Sequence, residues 1–227
     1  MNPKNNFPWG IVLLAVIIPI FLCFSYALTS AQTMPNQTVA SLKQLESLTE
    51  HLIDLAEARD SKAVINALKA LKEGGSTLEA EQTVGAEKTK ELLARINKMN
   101  KLWRMKKVDE FILEANGLFL EFIELLYKSG PQDVPREVVY LDYLARELQY
   151  RPKIRDWKGT EKAVREVQNT WRALSIKIKE KGLRSLVETT ISRLPEALRK
   201  RDVGQLYFIG QLILDEVDMM ENYLRKQ

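Results

Sequence analysis

Apolar residues recur along most of this chain at alternating steps of three and four. The last stretch carries the pattern furthest: Val203, Leu206, Gly210, Ile213, Val217, Met220 and Leu224 fall on one line of a helix. A step of three and four keeps side chains on one helical face, whereas a strand needs a step of two. Leu42, Leu45, Leu48, Leu52 and Leu55 repeat the pattern, as do Leu92, Ile96, Met99 and Trp103. Leu183, Leu186, Thr190, Leu194 and Leu198 do so again. No segment shows strand alternation with turn punctuation. An all-α fold of packed amphipathic helices is therefore expected.

Glycine and proline divide the pattern. Gly74-Gly75-Ser76 and Gly85 are expected to bracket a loop, Ser129-Gly130-Pro131 to make the strongest break, Pro152 to end or kink a helix and Gly182 to cap the end of one. The expected helices run over 39–59, 61–73, 86–106, 108–128, 136–150, 156–181, 183–200 and 202–226.

Two phrases inside this pattern are nearly the same. Ala58 to Leu68 reads ARDSKAVINAL and Ile154 to Val164 reads IRDWKGTEKAV, with Asp60 and Asp156 lying 96 positions apart. Asp202 also follows an arginine. Aspartate suits a helix N-cap, because its carboxylate accepts from the free amides of the first turn. The arginine before it suits the end of the preceding helix. Asp60, Asp156 and Asp202 are thus expected to cap, each at the corner of a helical hairpin. A fourth corner falls at Lys106-Lys107-Val108-Asp109. At an offset of 95, Ile96, Lys98, Met99, Arg104, Val108 and Phe111 match Ile191, Arg193, Leu194, Arg199, Val203 and Leu206. Residues 39–128 and 136–227 therefore read as two copies of one four-helix unit, a bundle or a short solenoid. Trp157, where the first copy has Ser61, marks a point of divergence and a candidate partner contact.

The N-terminus sets location. Trp9 to Leu28 reads WGIVLLAVIIPIFLCFSYAL, twenty residues without a charge, enough for one membrane-spanning helix. Lys4 precedes it and an uncharged stretch follows, which places residues 1–8 in the cytoplasm and the bulk outside. Residues 29–38 read as a linker. The alternative is a signal peptide cleaved after Thr29-Ser30-Ala31, which would release the rest.

Composition removes several chemistries. Cys23 and His51 are the only residues of their kinds, so no internal disulfide, thiolate metal cluster or two-histidine di-iron site is available. Glu46, Glu50, Asp54 and Glu57, beside His51, are one turn apart and could meet a hard cation, but the plainer reading is a solvated helix face. The net charge of +4 is too mild to argue for nucleic acid. Arg95, Lys98, Lys101, Arg104, Lys106 and Lys107 concentrate six cations without an acid, and an acid-rich helix follows from Asp109. Ion pairing across that hairpin is the plain reading; docking of an anionic surface is the sharper one. No catalytic, cofactor-binding or metal residue is expected. The function expected is interaction or scaffolding with a protein partner at the outer membrane face, and the alternative is a small-ligand or metal-ion binding bundle.

Two resemblances add to this. Asp60 to Leu71, DSKAVINALKAL, resembles the second helix of a HEAT repeat. Asp156-Trp157 with Lys162-Ala163 and Trp171, followed by Ile191 to Leu194 and Asp202, resembles an uncharacterised family of membrane-anchored bacterial proteins, known only as a domain of unknown function. That resemblance implies an apolar anchor followed by short helical hairpins, and it supplies no site residues.

Overall fold

A computed structural model describes residues 36–80, 84–130 and 132–226. The apolar run 9–28 with Cys23, the N-terminal eight residues and most of the linker lie outside the described residues. Those described are all-helical, within a compact unit spanning residues 35–227. The helices are α1 (Asn36–Glu57), α2 (Ser61–Ala80), α3 (Ala86–Arg104), α4 (Val108–Ser129), α5 (Arg136–Tyr150), α6 (Trp157–Leu174), α7 (Lys181–Ser192), α8 (Leu194–Lys200) and α9 (Val203–Leu224).

Four corners share one backbone design. Arg59, Lys106, Arg155 and Arg201 adopt positive φ angles of 57°, 58°, 61° and 52°. In each corner the left-handed residue donates its amide three residues back, and the next residue donates five residues back. Arg59 and Asp60 reach Ala56 and Leu55; Arg201 and Asp202 reach Leu198 and Ala197. Lys106 with Lys107, and Arg155 with Asp156, do the same. This Schellman closure satisfies the last carbonyls of one helix while turning the chain into the next. At three corners the aspartate then accepts from the following first turn: Asp60 from the Ala63 amide at 3.0 Å, Asp156 from Gly159 at 2.9 Å and Asp202 from Gln205 at 2.9 Å. Lys107 offers no such side-chain cap.

A left-handed backbone normally calls for glycine, since a Cβ there meets the following carbonyl. Lys106 is exposed. Lys106→Gly therefore raises the unfolding free energy by roughly 0.5–1 kcal/mol, the relieved strain less the extra freedom glycine has when unfolded. Urea denaturation of the two proteins checks this.

Helix boundaries differ from expectation in four places. Helix α1 begins at Asn36, so the end of the expected linker is helical. Helix α2 continues through Gly74 and Gly75 to Ala80, where a loop was expected. A Cβ on Gly75 would lie 3.0 Å from Leu93 of α3, so this glycine serves helix contact rather than a turn. The expected helix 156–181 stops at Leu174, and Glu180 caps α7 by accepting from the amides of Gly182 and Leu183. Gly182 thus sits in a first turn and caps no helix end. The expected helix 183–200 breaks at Arg193, because Pro195 enters the first turn of α8.

Packing follows the corners. Helix α1 lies against α2 and α4, and α3 against α2 and α4. Helix α5 lies against α6 and α9, with α7 and α8 on α9 and α8 also on α6. Helices α4 and α5 join the two sets. Phe111, Ile112, Ala115, Leu118, Phe119 and Phe122 bury α4 on nearly all sides, and α5 is buried at every residue from Leu144 to Tyr150. Each such large apolar side chain contributes about 1.5–3 kcal/mol when removed from water.

Candidate functional site

Because α5 is enclosed, its polar residues need partners within the protein. Asp142 and Arg146 sit one turn apart and pair with each other; the Arg146 guanidinium also lies 3.6 Å from Glu50 of α1. Glu46 of α1 and Glu221 of α9 complete the surroundings. With Lys43, Arg225 and Tyr127, the carboxylates of Glu46, Glu50, Asp142 and Glu221 line a groove of about 390 Å³ between α1, α4, α5 and α9. Burial raises Asp142 to about 6, with Glu50 and Glu221 adding to the rise and Arg146 opposing it. Burial also raises Glu46 to about 7, helped by the charges of Glu50, Asp142 and Glu221. Glu50, Asp54 and Glu57 of the expected solvated face are exposed. Glu46 is half-buried, and Glu57 accepts from the Tyr150 hydroxyl at 2.5 Å. Asp54 and His51 are exposed.

One turn further along α5, Glu147 is buried and faces the other way. It accepts from the Asn116 amide of α4 at 3.3 Å and from Arg151. Arg151 also reaches the capping Asp156. Gly159 makes room for that arginine, since a Cβ there would come within 2.6 Å of its Nη1. Burial raises Glu147, and the hydrogen bonds from Arg151 and Asn116 oppose the rise. Tyr143, Glu147 and Arg151 stand between two shallow grooves, one running along α6 and the other along α3 and α4.

The six cations divide. Arg95 pairs with Glu114 at 3.0 Å and Glu121 at 2.5 Å, Lys98 with Glu114 at 2.5 Å and Lys107 with Glu110 at 3.1 Å. Among the described residues, Lys101, Arg104 and Lys106 have no carboxylate within 4.0 Å. Trp157 packs half-buried on the core of α5–α9 with Arg201 over its ring at 5.5 Å, so it joins two neighbouring corners. Trp103 lies 5.1 Å from Phe111, and Trp171 is buried.

Neither the groups just described nor any other set of three or more His, Cys, Asp or Glu among the described residues is placed to hold a metal ion. No family model, curated protein or solved structure matches this chain.

Sequence reading passed over Asn116, Asp142, Arg146, Glu147 and Arg151, and did not single out Glu216 from the other acids of its helix. The available signal was charge inside an apolar frame: Asp142 and Arg146 are interleaved with Val138, Leu141, Ala145 and Leu148. Glu216 is the barest of these groups. It is 3% exposed; its Oε1 accepts from the Thr190 hydroxyl at 2.5 Å and its Oε2 has no partner among the described residues. The positions 95 earlier are Glu121 and Arg95, which form an ion pair. Thr190 replaces that cation with a hydroxyl, and burial raises the carboxyl. A carboxyl raised in the folded state takes up a proton on folding. It therefore lowers stability as pH climbs from the unfolded value toward the folded one. Glu216→Leu accordingly stabilises by about 1–3 kcal/mol at pH 8 and by less at pH 4, measured by denaturation at both values.

Proposed function

We propose that this chain is a single-pass membrane protein whose helical body lies outside the cytoplasm and serves as an interaction scaffold without catalytic activity. The observation that carries this reading is the uncharged run Trp9–Leu28, followed within eight residues by the first helix of a compact body. A run of that length matches the hydrocarbon thickness of a bilayer, and Lys4 on its N-terminal side sets the orientation. Among the described residues no helix is long and apolar enough to cross a membrane, which leaves that run as the candidate anchor.

The body is two tandem four-helix units, α1–α4 and α5–α9, with α7 and α8 together standing for one helix. In support, the left-handed corners at 59 and 155 are 96 apart and those at 106 and 201 are 95 apart. The helix neighbours within each set correspond as well. Much of the charge is spent internally, with α3 cations on α4 acids and Arg146 and Arg151 on α5, so the architecture holds its own shape and presents surfaces.

Membrane fractionation of the full chain, followed by crosslinking and mass spectrometry of the solubilised protein, tests this. A carbonate-resistant membrane protein recovered with a crosslinked partner is expected. A mature N-terminus near Gln32 in the soluble fraction would exclude the anchor.

A further inference from the structure

The two sets of helices differ on the outer face of α2 and α3. There Leu68 and Ile96 floor a groove of about 220 Å³, Ile65 stands on its rim 57% exposed, and Lys69, Lys72 and Arg104 surround it. Asn97 and Asn100 are its other polar lining, and no acid lines it. Among the described residues, only Lys69 of these three cations has a carboxylate within 4.0 Å, exposed Glu73 at 3.8 Å. The corresponding face of the second set is neutralised from within. Glu161 stands where Ile65 does and pairs with Arg165 at 2.9 Å, while Arg199, the counterpart of Arg104, pairs with Glu196 at 2.7 Å. The first face therefore presents an exposed apolar residue and cations with no lining acid, where its counterpart pairs its cations with acids.

The complement to that groove lies on the same chain. Helix α9 exposes Phe208 at 54% and Met219 at 48%, with Asp215 and Asp218 exposed beside them. Lys and Arg are absent from 202 to 224. In α4 the counterpart of Phe208 is Leu113, which lies in a groove lined by Tyr143 and Glu147 of α5 and by Arg151 just past its end. In α9 the position is open. Phe208 and Asp215 are seven residues apart, as are Ile65 and Lys72, so each pair spans about 10 Å of helix. An aromatic side chain at one level and carboxylates at the next thus match an apolar groove at one level and ammonium groups at the next.

We infer that α9 of one copy docks in the α2–α3 groove of another, with Phe208 over Leu68 and Ile96 and with Asp215 and Asp218 facing Lys69, Lys72 and Arg104. The surfaces differ, so the contact is head-to-tail and leaves an unused groove and an unused α9 at the ends of every open assembly. Opposite charges at the rim make the association salt-dependent, and the buried aromatic carries most of the affinity. The inference rests on the helical body and holds whether or not residues 9–28 span a membrane.

The test is sedimentation of the full chain in detergent across concentration and salt. Wild type is expected to form a ladder of species that shortens as salt rises. Phe208→Asp breaks one surface and Ile65→Asp the other, and each alone is expected to be monomeric, with association weakened at least about ten-fold. Both positions are exposed, and thermal melts by circular dichroism confirm folding. Mixing the two variants is decisive, because each keeps the surface the other lost: a one-to-one dimer is expected. A wild type that is monomeric throughout, variants that associate as wild type does, or a mixture that stays monomeric would overturn the inference. Groove-dependent binding to anionic vesicles by a protein that does not self-associate would overturn it equally.

Discussion

Arg146→Met lowers the unfolding free energy by about 3–5 kcal/mol at pH 8, the usual cost of leaving a buried partner charge uncompensated. Arg146 is 7% exposed and Asp142 8%, and the pair lies amid Glu46, Glu50 and Glu221. Without the guanidinium, Asp142 faces three carboxylates in a poorly solvated groove and must take up a proton. The sign of the pH effect follows. Asp142 rises from 3.8 to about 6 and Glu46 from 4.5 to about 7 in the folded protein. Both bind protons more tightly folded than unfolded, so wild-type stability falls as pH rises from about 4 to about 7. In the variant Asp142 rises further, so the fall is steeper and continues to higher pH. Arg146→Met combined with Asp142→Leu recovers most of the loss, because no uncompensated charge then remains. Urea titrations of the three proteins at pH 5 and pH 8 check these outcomes.

Gly210→Val costs about 3 kcal/mol, the upper part of the range for overpacking a close helix contact. Helix α9 crosses α5 here, and a Cβ at 210 would lie 2.7 Å from the Ala145 carbonyl oxygen. That oxygen belongs to the backbone and cannot swing aside. Gly210→Ala meets the same contact but gains about 1 kcal/mol of helix propensity, so its net loss is near 1 kcal/mol. Gly204 in the same helix is the control. A Cβ there meets only Asp202 Oδ1 at 3.6 Å, so Gly204→Ala stabilises by roughly 0.5–1 kcal/mol. Close approach thus holds for Gly210 and not for Gly204. Thermal denaturation of the three variants separates the cases.

The contrast between these glycines shows what was legible. Helix type was legible because it depends on period, which a linear sequence displays. The aspartate corners were legible because capping is local, using groups three residues apart. Gly74 and Gly75 were misread, since their use is contact with Leu45 and Leu93 on other helices. The break at Ser175–Glu180 was missed for lack of glycine or proline to mark it. The buried charges of α5 were missed for a related reason. Leu144 to Tyr150 is a mixed segment that would be half-exposed at an edge, and it is buried because helices enclose it from several directions. Nothing near residue 147 announces that Asn116 will face it.

The cation cluster was legible as a hairpin contact for Arg95 and Lys98, whose acids come next in sequence. It was not legible as a groove, because Lys69 and Lys72 belong to another helix and meet Arg104 only in the folded protein. The divergence at Trp157 drew attention first. Its ring is occupied by its own corner and by Arg201, whereas the divergence at Ile65 leaves an apolar side chain in water.

The most direct test of the scaffold reading uses the chain's single cysteine. Replacing Cys23 by serine and placing a cysteine at exposed Lys62 gives one reporter on the helical body. A membrane-impermeant maleimide is applied to right-side-out and inside-out vesicles carrying the full chain. Labelling in right-side-out vesicles alone is the predicted result, with the label on a protein of full length. Labelling in inside-out vesicles alone, or a labelled protein lacking its first thirty residues, would contradict it.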